Sequence, residues 1–343
     1  MPGDYFTLRS QERRRLAVSD SVNAGQQNSI VTTRRRPVVE GRLHVPGESR
    51  RGSFGHRHQR ASLFGGCILA ALVVYYLVLF VVPFATAVWL SFQNWDFTGS
   101  PVFVGFQNYV FAFSDPQFWN ALKVTVVFST VEISIGVSLS IVIAYFMSYL
   151  GRLLKHTFLL IYYLPVVVPT ICTVLLWQLM YLQQGGLLNG ILGVFGVPAQ
   201  QFTNSASEAL WSVLIMVLWS ELGGGILLFV AAMNNLPASL MEAARLDGAG
   251  FWRLLVSIVL PLVRPMLFYQ VVASVIGTVQ MFTQFFLLQG PGYSTQNLPV
   301  YMYLQGFQSF NLGYGAAISV LMFLLLLFAT LVQLRRYRAQ FQY

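Results

Sequence analysis

Long apolar runs constrain this chain more than any other feature of its sequence. Six runs are each long enough to cross a bilayer, whose hydrocarbon core takes about 20 apolar residues in a helix. Only 10% of the 343 residues are charged, whereas about a quarter are charged in soluble domains, so an ordinary soluble domain is excluded. We predict an all-α membrane protein with six transmembrane helices. The predicted spans are Leu63–Leu90, Phe118–Leu150, Thr157–Leu182, Leu210–Met233, Leu260–Leu288 and Tyr314–Leu334.

The distribution of positive charge predicts how these spans are oriented. Basic residues cluster after the second span, between the fourth and fifth spans, and after the sixth span. Connections rich in Lys and Arg stay on the cytoplasmic side of a membrane. Both termini and the segment between spans four and five are therefore expected to be cytoplasmic. The basic residues of these three connections are Arg152 and Lys155, then Arg245, Arg253 and Arg264, then Arg335, Arg336 and Arg338.

The first 60 residues differ in composition from the rest, with twelve arginines, no lysine and five acidic residues. We interpret residues 1–60 as a disordered, Arg-rich cytoplasmic tail that contacts anionic membrane lipid, and residues 61–343 as the membrane domain. A nucleic-acid-binding tail is the alternative, because arginine clusters also contact phosphates. Neither interleaved aromatic residues nor a folded module accompanies these arginines, so we expect no nucleic-acid partner.

Several predicted spans contain residues that disturb helices. They include Pro83, the pair Pro165 and Pro169, and the run Gly223-Gly224-Gly225. Breaks in a membrane helix are tolerated where a neighbouring helix or a water-lined cavity satisfies the freed backbone groups, which is compatible with a transport pathway. The alternative is that Gly and Pro are simply common in membrane helices.

The connection between spans four and five, residues 234–261, is predicted to contain a short helix. Pro237 suits the first turn of this helix and Gly248 suits its C-terminal end. An apolar stripe at helical spacing predicts an amphipathic helix, which either docks in a partner's groove or lies on the lipid surface. The stripe consists of Leu236, Leu240, Ala243 and Leu246.

The same connection matches the pattern E-A-A-x3-G-x9-I-x-L-P through Glu242-Ala243-Ala244, Gly248 and Ile258-Val259-Leu260-Pro261. This pattern resembles the EAA signature of ABC-importer permeases. Other segments within residues 63–335 are similar to the carbohydrate-uptake (maltose/oligosaccharide-type) subgroup of that family, the binding-protein-dependent transport system inner-membrane components. These segments are Gly105–Tyr109, Leu164-Pro165 with Pro169 and Trp177, Gly186–Asn189, Gly290-Pro291 and Gly313–Ala317.

The resemblance implies a multi-pass permease subunit of the bacterial cytoplasmic (inner) membrane that is not itself an enzyme. It implies four further partners: a second permease subunit, two cytoplasmic ATPase subunits that bind ATP and Mg, and an extracytoplasmic solute-binding protein. The predicted helix is then a coupling helix that docks in a groove of an ATPase subunit. The residues expected to take part in coupling are Glu242, Ala243, Ala244, Arg245, Asp247 and Gly248.

The sequence contains no motif for ATP hydrolysis or for a zinc hydrolase site. Its only lysines, Lys123 and Lys155, are followed by Val and His, so a phosphate-binding loop G-x4-G-K-[ST] is excluded. Its four histidines form no helix-spaced pair with a glutamate, so that type of zinc site is unsupported. We expect no cofactor, no metal and no catalytic residue in this chain, with ATP bound by the partner.

Four polar residues inside the spans are candidates for a solute pathway. Glu132 lies in the second span and Glu221 in the fourth, and ionisable groups inside a membrane are functional-site candidates. Gln280 and Gln284, four residues apart in the fifth span, are expected to share one helix face and to bind sugar hydroxyls. The alternative for all four is a polar contact between helices.

The charges inside the spans predict the class of substrate. Acids and amides lie within the spans, but Lys and Arg are absent from their middles. An anionic solute would need compensating positive charge, so we expect a neutral sugar or short oligosaccharide. Glycerol phosphate and a polyamine are alternative substrates. The alternative class of protein is a self-contained secondary transporter or channel that uses Glu132 and Glu221.

Overall fold

The computed structural model describes residues 66–339, and the predicted tail of residues 1–60 lies outside the described residues. The described part is mostly helical. Five helices are long and apolar enough to cross a membrane, and a sixth candidate span consists of two helices that meet at 97°. Two short strands, β1 (Gln93–Asn94) and β2 (Val102–Phe103), pair in antiparallel register with Gln93 opposite Phe103.

We number the helices in chain order. They are α1 (Gly66–Leu90), α2 (Gln107–Ser114), α3 (Pro116–Met147), α4 (Arg152–Val167), α5 (Thr170–Met180), α6 (Leu187–Val194), α7 (Ala209–Asn234), α8 (Ala238–Leu246), α9 (Phe251–Leu262), α10 (Arg264–Val279), α11 (Thr283–Leu287), α12 (Leu298–Tyr303) and α13 (Leu312–Ala339). The spans α1, α3, α7 and α13 occur close to where the apolar runs predict them, and α10 with α11 forms the fifth apolar span.

The core of the bundle forms around α3, which packs against α7, α10 and α12. Large side chains fill the α3–α7 contact, among them Tyr145, Ile226 and Phe229, each at most 1% exposed. The surface of the bundle, in contrast, retains many large exposed apolar side chains, and α1 is exposed along its most apolar stretch. This distribution suits a bundle whose outer surface contacts lipid or another apolar subunit, since such surfaces are rare on soluble monomers.

The predicted third span, Thr157–Leu182, is not one straight helix: α4 and α5 meet at 97°, within the segment where the sequence shows two helix-disturbing prolines. Pro169 has no N–H to donate, and its ring disfavours a helical conformation in the preceding residue. Val168 accordingly has φ −71° and ψ 132°, and α4 ends before it. The helix passes through Pro165 without ending. Pro169 is therefore the residue that turns the chain.

The glycine run Gly223-Gly224-Gly225 does not break α7, which is continuous from Ala209 to Asn234. A Cβ on Gly223 would lie 2.1 Å from the carbonyl oxygen of Tyr162 on α4, and one on Gly225 would lie 2.5 Å from Oγ of Ser140 on α3. The first and third glycines therefore allow α4 and α3 to approach α7 closely. Helix α7 is therefore not broken at the glycine run, and the role of these glycines is interhelical packing.

The segment Gly105–Tyr109 holds together the end of the bundle opposite α8. The side-chain amide of Asn108 donates hydrogen bonds to the carbonyl oxygens of Ser91 and Gln93, at 2.9 and 2.8 Å. Gly105 has φ +59°, which a residue without a Cβ adopts at no steric cost. The hydrogen bonds of Asn108 therefore stabilise the turn that follows α1.

We predict that Gly223→Ala destabilises the protein and that Gly224→Ala does not. The first substitution forces a methyl group against the backbone of α4, and overpacking of this kind costs about 1–3 kcal/mol. A Cβ on Gly224 meets nothing within 4 Å, and alanine favours the helix by about 1 kcal/mol. Thermal unfolding of the two variants in detergent measures the difference, and equal melting temperatures would contradict this account of the contact.

Candidate functional site

Helix α8 is closed at both ends by residues that the sequence singles out. Pro237 immediately precedes its first residue, Ala238, rather than lying within the first turn. At its other end Gly248 has φ +77°. The N–H of Gly248 donates to the carbonyl of Arg245 and the N–H of Ala249 to that of Ala244, both at 3.0 Å. These two bonds form a Schellman motif, which satisfies the carbonyls at the end of a helix, so Gly248 ends α8 as predicted.

One face of α8 packs on the bundle and another is exposed. Ala244 is 9% exposed and joins the core cluster formed by the ends of α3 and α7, together with Met241 and Leu236. Leu240 and Leu246 are 47% and 89% exposed, and Ala243 is exposed beside them. The predicted apolar stripe therefore divides: Leu236 faces the bundle, whereas Leu240, Ala243 and Leu246 form an exposed apolar face, which we call the α8 face.

The charged residues of this segment have different surroundings. The guanidinium carbon of Arg245 lies 5.1 Å from the centroid of the Tyr149 ring, a cation–π contact within this chain. Glu242 is exposed and lines a cavity of about 210 Å³ with Arg245 and Tyr145. Asp247 is exposed at the end of the helix. Glu242 and Asp247 are thus available to a partner, while Arg245 is held by its own bundle.

The segment that follows α8 connects it to the end of α3. The ring of Phe251 lies 4.6 Å from the ring of Tyr145 and 5.6 Å from that of Tyr149, measured between centroids. The two tyrosine hydroxyls are 2.5 Å apart, within hydrogen-bond distance. Aromatic contacts and buried Ala244 therefore hold α8 and the start of α9 on the end of α3 as one packed unit.

Glu221 and Gln284 line a cavity next to the bend between α4 and α5, which we call the pathway cavity. Its volume is about 360 Å³, and Pro165, Thr170 and Thr173 contribute part of its wall. Its polar groups are carboxylate, hydroxyl and amide, and no Lys, Arg or His is among the described residues that line it. Such a set suits a hydroxyl-rich, uncharged ligand, because hydroxyl and amide groups both donate and accept hydrogen bonds and a carboxylate accepts them.

Glu132 and Glu221 line a second, smaller cavity of about 50 Å³, which we call the carboxylate cavity. Glu132 is 6% exposed, and its Oε2 is a buried atom without a hydrogen-bond partner among the described residues. Because Glu221 also lines the pathway cavity, the two cavities adjoin at its side chain. The structure thus brings together three of the four predicted pathway residues, Glu132, Glu221 and Gln284.

The expectation that Gln280 and Gln284 share one helix face is wrong. Helix α10 ends at Val279 and α11 begins at Thr283, so helical spacing does not hold between the two glutamines. Gln284 is 8% exposed and lines the pathway cavity, whereas Gln280 is exposed and is not among its lining residues. At the interruption, the side-chain amide of Asn297 donates to the carbonyl of Met281 at 2.6 Å, which compensates for a lost helical bond.

A family model described as "Binding-protein-dependent transport system inner membrane component" matches residues 136–337, which include α8 and the pathway cavity but begin after Glu132 of the carboxylate cavity. The chain belongs to this family. It is therefore an inner-membrane permease component of a binding-protein-dependent transport system, and the matched region begins within α3 and ends within α13.

Curated relatives of this permease have similar lengths. The trehalose/maltose transport system permease protein of Thermococcus litoralis is 32% identical over 80% of this chain and 94% of that protein. An sn-glycerol-3-phosphate transport system permease protein of Pectobacterium atrosepticum is 30% identical over 75% of this chain and 88% of that protein. Both relatives are named as permease proteins of transport systems.

A solved structure has the same fold as this permease. A chain of a bacterial alginate ABC transporter, crystallised with an alginate pentasaccharide-bound periplasmic protein, superposes with a TM-score of 0.74. The match covers 83% of this chain and 98% of that chain at 19% identity. At this identity the match concerns the fold alone.

Several polar residues of the two cavities are absent from the sequence-based prediction. They are Thr170, Thr173 and Ser220 in the pathway cavity, and Ser140, Gln270 and Ser274 in the carboxylate cavity. One available signal is the helical spacing of Gln270 and Ser274, whose side chains bond at 3.3 Å. Another is the position of Thr170 directly after Pro169. Hydroxyl groups are too common in membrane helices for either signal to identify a site alone.

We predict that Gly248→Ala loosens the end of α8, whereas Gly248→Asn and Gly250→Ala do not. A left-handed conformation costs an alanine about 1–2 kcal/mol, which corresponds to about five- to thirtyfold faster local opening. Asparagine tolerates this conformation, and Gly250 has an ordinary φ of −73°. Hydrogen–deuterium exchange of the amides of residues 243–249 measures the effect. Similar exchange in Gly248→Ala and the wild type would show that the left-handed turn is not needed.

Proposed function

We propose that this permease is a subunit of an ATP-driven importer that moves a neutral sugar or oligosaccharide across the bacterial cytoplasmic membrane. In this proposal six spans cross the membrane, with both termini and α8 on the cytoplasmic side. The observation that supports it most strongly is the α8 face, which stays exposed although the two ends of its helix are fixed. An exposed apolar face on a short, well-defined helix is suited to docking in a partner's groove.

The proposed partner that binds the α8 face is a cytoplasmic ATPase subunit. The proposed assembly pairs this chain with a second permease, two ATPase subunits that bind ATP and Mg, and an extracytoplasmic solute-binding protein. The family description names a binding-protein-dependent system, and the solved alginate transporter was crystallised with a periplasmic protein. Both observations support the binding protein as a partner.

The packing around α8 suggests how movement of an ATPase would reach the substrate. A push on α8 acts through Ala244 and Phe251 on the end of α3, and through the same core cluster on α7. Helices α3 and α7 carry Glu132 and Glu221, which line the carboxylate cavity. Packed interiors transmit displacement because they are difficult to compress. We infer that ATP-driven movement of α8 changes the relative positions of α3 and α7 at the cavities.

The pathway cavity supports a neutral substrate over a charged one. Its hydroxyl and amide groups match sugar hydroxyls, and the relative from Thermococcus litoralis is named for trehalose and maltose. The relative from Pectobacterium atrosepticum is named for glycerol 3-phosphate, an anion that would need a cationic partner in a buried site. A polyamine would instead be attracted to Glu221. Uptake of maltose, glycerol 3-phosphate and spermidine, measured side by side, distinguishes these substrates.

A proton-coupled secondary transporter is the second candidate, because Glu132 and Glu221 line the same cavity. The two candidates differ in their source of energy. In proteoliposomes, the importer requires ATP and continues when an uncoupler collapses the proton gradient. Uptake that needs the proton gradient but not ATP would favour the secondary transporter and contradict the importer.

We predict that Leu246→Glu prevents association with the ATPase subunit, whereas Leu246→Met preserves it. A charge within a docked apolar face must be desolvated, and interface residues that anchor such a face contribute about 2 kcal/mol or more. Because Leu246 is 89% exposed, neither variant disturbs the folded bundle. Copurification of the ATPase with the tagged permease measures association. Normal copurification with Leu246→Glu, at normal membrane levels, would contradict docking through the α8 face.

We predict that Gln284→Leu raises the KM for sugar uptake, whereas Gln280→Leu leaves it unchanged. The first substitution removes a hydrogen-bonding group from the pathway cavity, and one neutral hydrogen bond of about 1 kcal/mol corresponds to about fivefold. Gln280 is the matched control, since it is exposed and does not line that cavity. Uptake of labelled maltose into proteoliposomes measures both. An unchanged KM in Gln284→Leu would remove this glutamine from the substrate path.

A further inference from the structure

A third cavity, which we call the basic cavity, lies between the start of α10 and the end of α13. Its volume is about 400 Å³, and the side chains of Arg264 and Arg336 line it. Leu267 and Val271 contribute apolar wall on the α10 side. None of the residues of the pathway and carboxylate cavities lines the basic cavity.

The arginines of the basic cavity lack an acidic neighbour in its wall. From Gly248 to Tyr343 the sequence contains five arginines and not one Asp or Glu. The described residues that line the cavity likewise include no carboxylate. Two cations facing one space repel each other unless an anion lies between them. The charge of this cavity therefore indicates an anionic ligand.

The position of the two arginines places that anion at the surface of the membrane. Arg264 is the first residue of the apolar span Arg264–Leu287, and Arg336 lies one residue before the end of the span Leu312–Tyr337. Leu267 and Val271 lie one and two turns further into α10 on the same helix face. The cavity thus has a cationic opening at the level of the lipid headgroups and an apolar wall at the level of the acyl chains.

Gln333 supplies a second, independent indication of a ligand. It lies three residues before Arg336 on α13, and it lines the basic cavity. Its Oε1 is a buried atom without a hydrogen-bond partner among the described residues. Buried polar atoms of this kind usually have a partner, and the one this oxygen needs is a donor. A headgroup that carries hydroxyl groups beside its phosphate provides such a donor.

We propose that the basic cavity binds an anionic phospholipid of the phosphatidylglycerol type. The phosphate lies between Arg264 and Arg336, a headgroup hydroxyl donates to Gln333, and an acyl chain lies along Leu267 and Val271. Basic pockets between membrane helices at the cytoplasmic surface bind acidic headgroups in this way. The basic tail of residues 1–60 is a poorer occupant, because its net positive charge repels the two arginines.

The bound lipid would also contact the segment that leads from α8 into the membrane. Leu260 and Pro261, the last two residues of the E-A-A-x3-G-x9-I-x-L-P pattern, line the basic cavity. Lipid bound there contacts the end of α9, which connects α8 to α10. The lipid site does not depend on which solute is transported. A failed test of lipid binding would therefore leave the proposed function unaffected, and the reverse also holds.

Native mass spectrometry of the full-length permease, purified with its copurifying subunits and delipidated in detergent, tests the proposal. The protein is titrated with phosphatidylglycerol and, separately, with phosphatidylcholine. We expect the double variant Arg264→Gln/Arg336→Gln to lose about thirtyfold in phosphatidylglycerol affinity, at about 1 kcal/mol for each cationic side chain. Arg253→Gln is the matched control, because Arg253 belongs to the same acid-free stretch but does not line the cavity.

Two further variants separate binding from folding. Arg264→Lys/Arg336→Lys retains both charges and should retain most of the preference for phosphatidylglycerol. Gln333→Leu keeps the helix and the charges, and it should lower phosphatidylglycerol affinity about fivefold. Melting temperatures of all variants in phosphatidylcholine should equal that of the wild type. If the double glutamine variant fails to fold, the lysine pair and Gln333→Leu provide the test.

Three results would overturn the proposal. The first is wild-type preference for phosphatidylglycerol in the double glutamine variant, or an equal loss in Arg253→Gln. The second is an unchanged phosphatidylglycerol affinity in Gln333→Leu together with loss of the preference in the lysine pair. The third is displacement of the lipid by inorganic phosphate at millimolar concentration, which would identify a site for a soluble anion instead.

Discussion

The structure depends on one constraint, which is that backbone N–H and C=O groups inside a bilayer must find partners within the protein. Nearly every long apolar run is therefore a helix. The chain departs from helix at Val168-Pro169 and again between α10 and α11, and both departures lie beside the pathway cavity. Near the second, Asn297 donates to the carbonyl of Met281 and Gln178 to that of Leu287. Irregular backbone is thus found where the bundle encloses polar space.

The same bundle joins the cavities to α8. Helix α3 packs against α7 along much of its length, helped by the absence of a side chain at Gly225. The middle of this pair carries Glu132 and Glu221, and one end holds Ala244 and Phe251 of the α8–α9 segment. A contact made on the α8 face therefore acts on a rigid pair of helices. In the proposed importer, this pair is the physical connection between an ATPase and the solute.

Charge is sorted along the molecule in a way that suits each proposed role. The interior cavities are lined by carboxylates, amides and hydroxyls, while Arg264 and Arg336 line a cavity where two spans end. The free energy of placing a positive charge is low at the level of the headgroups, where anionic lipid compensates the charge, and high inside the hydrocarbon. The proposed neutral solute in the interior and the proposed anionic lipid at the surface are both consistent with this distribution.

The sequence by itself determined the apolar helices, the family and the end of α8, because each depends on local properties: run length, a fixed spacing, and a glycine where φ is +77°. Only the tertiary structure decided that the third span bends by 97° and that Glu132 and Glu221 line one cavity. It also decided that Gln284 lines the pathway cavity whereas Gln280 does not. It also decided that Arg245, though exposed, contacts the Tyr149 ring. Pro169 marks the position of the bend in the sequence, but the angle of the bend and the shared cavity depend on residues far apart in sequence that packing brings together.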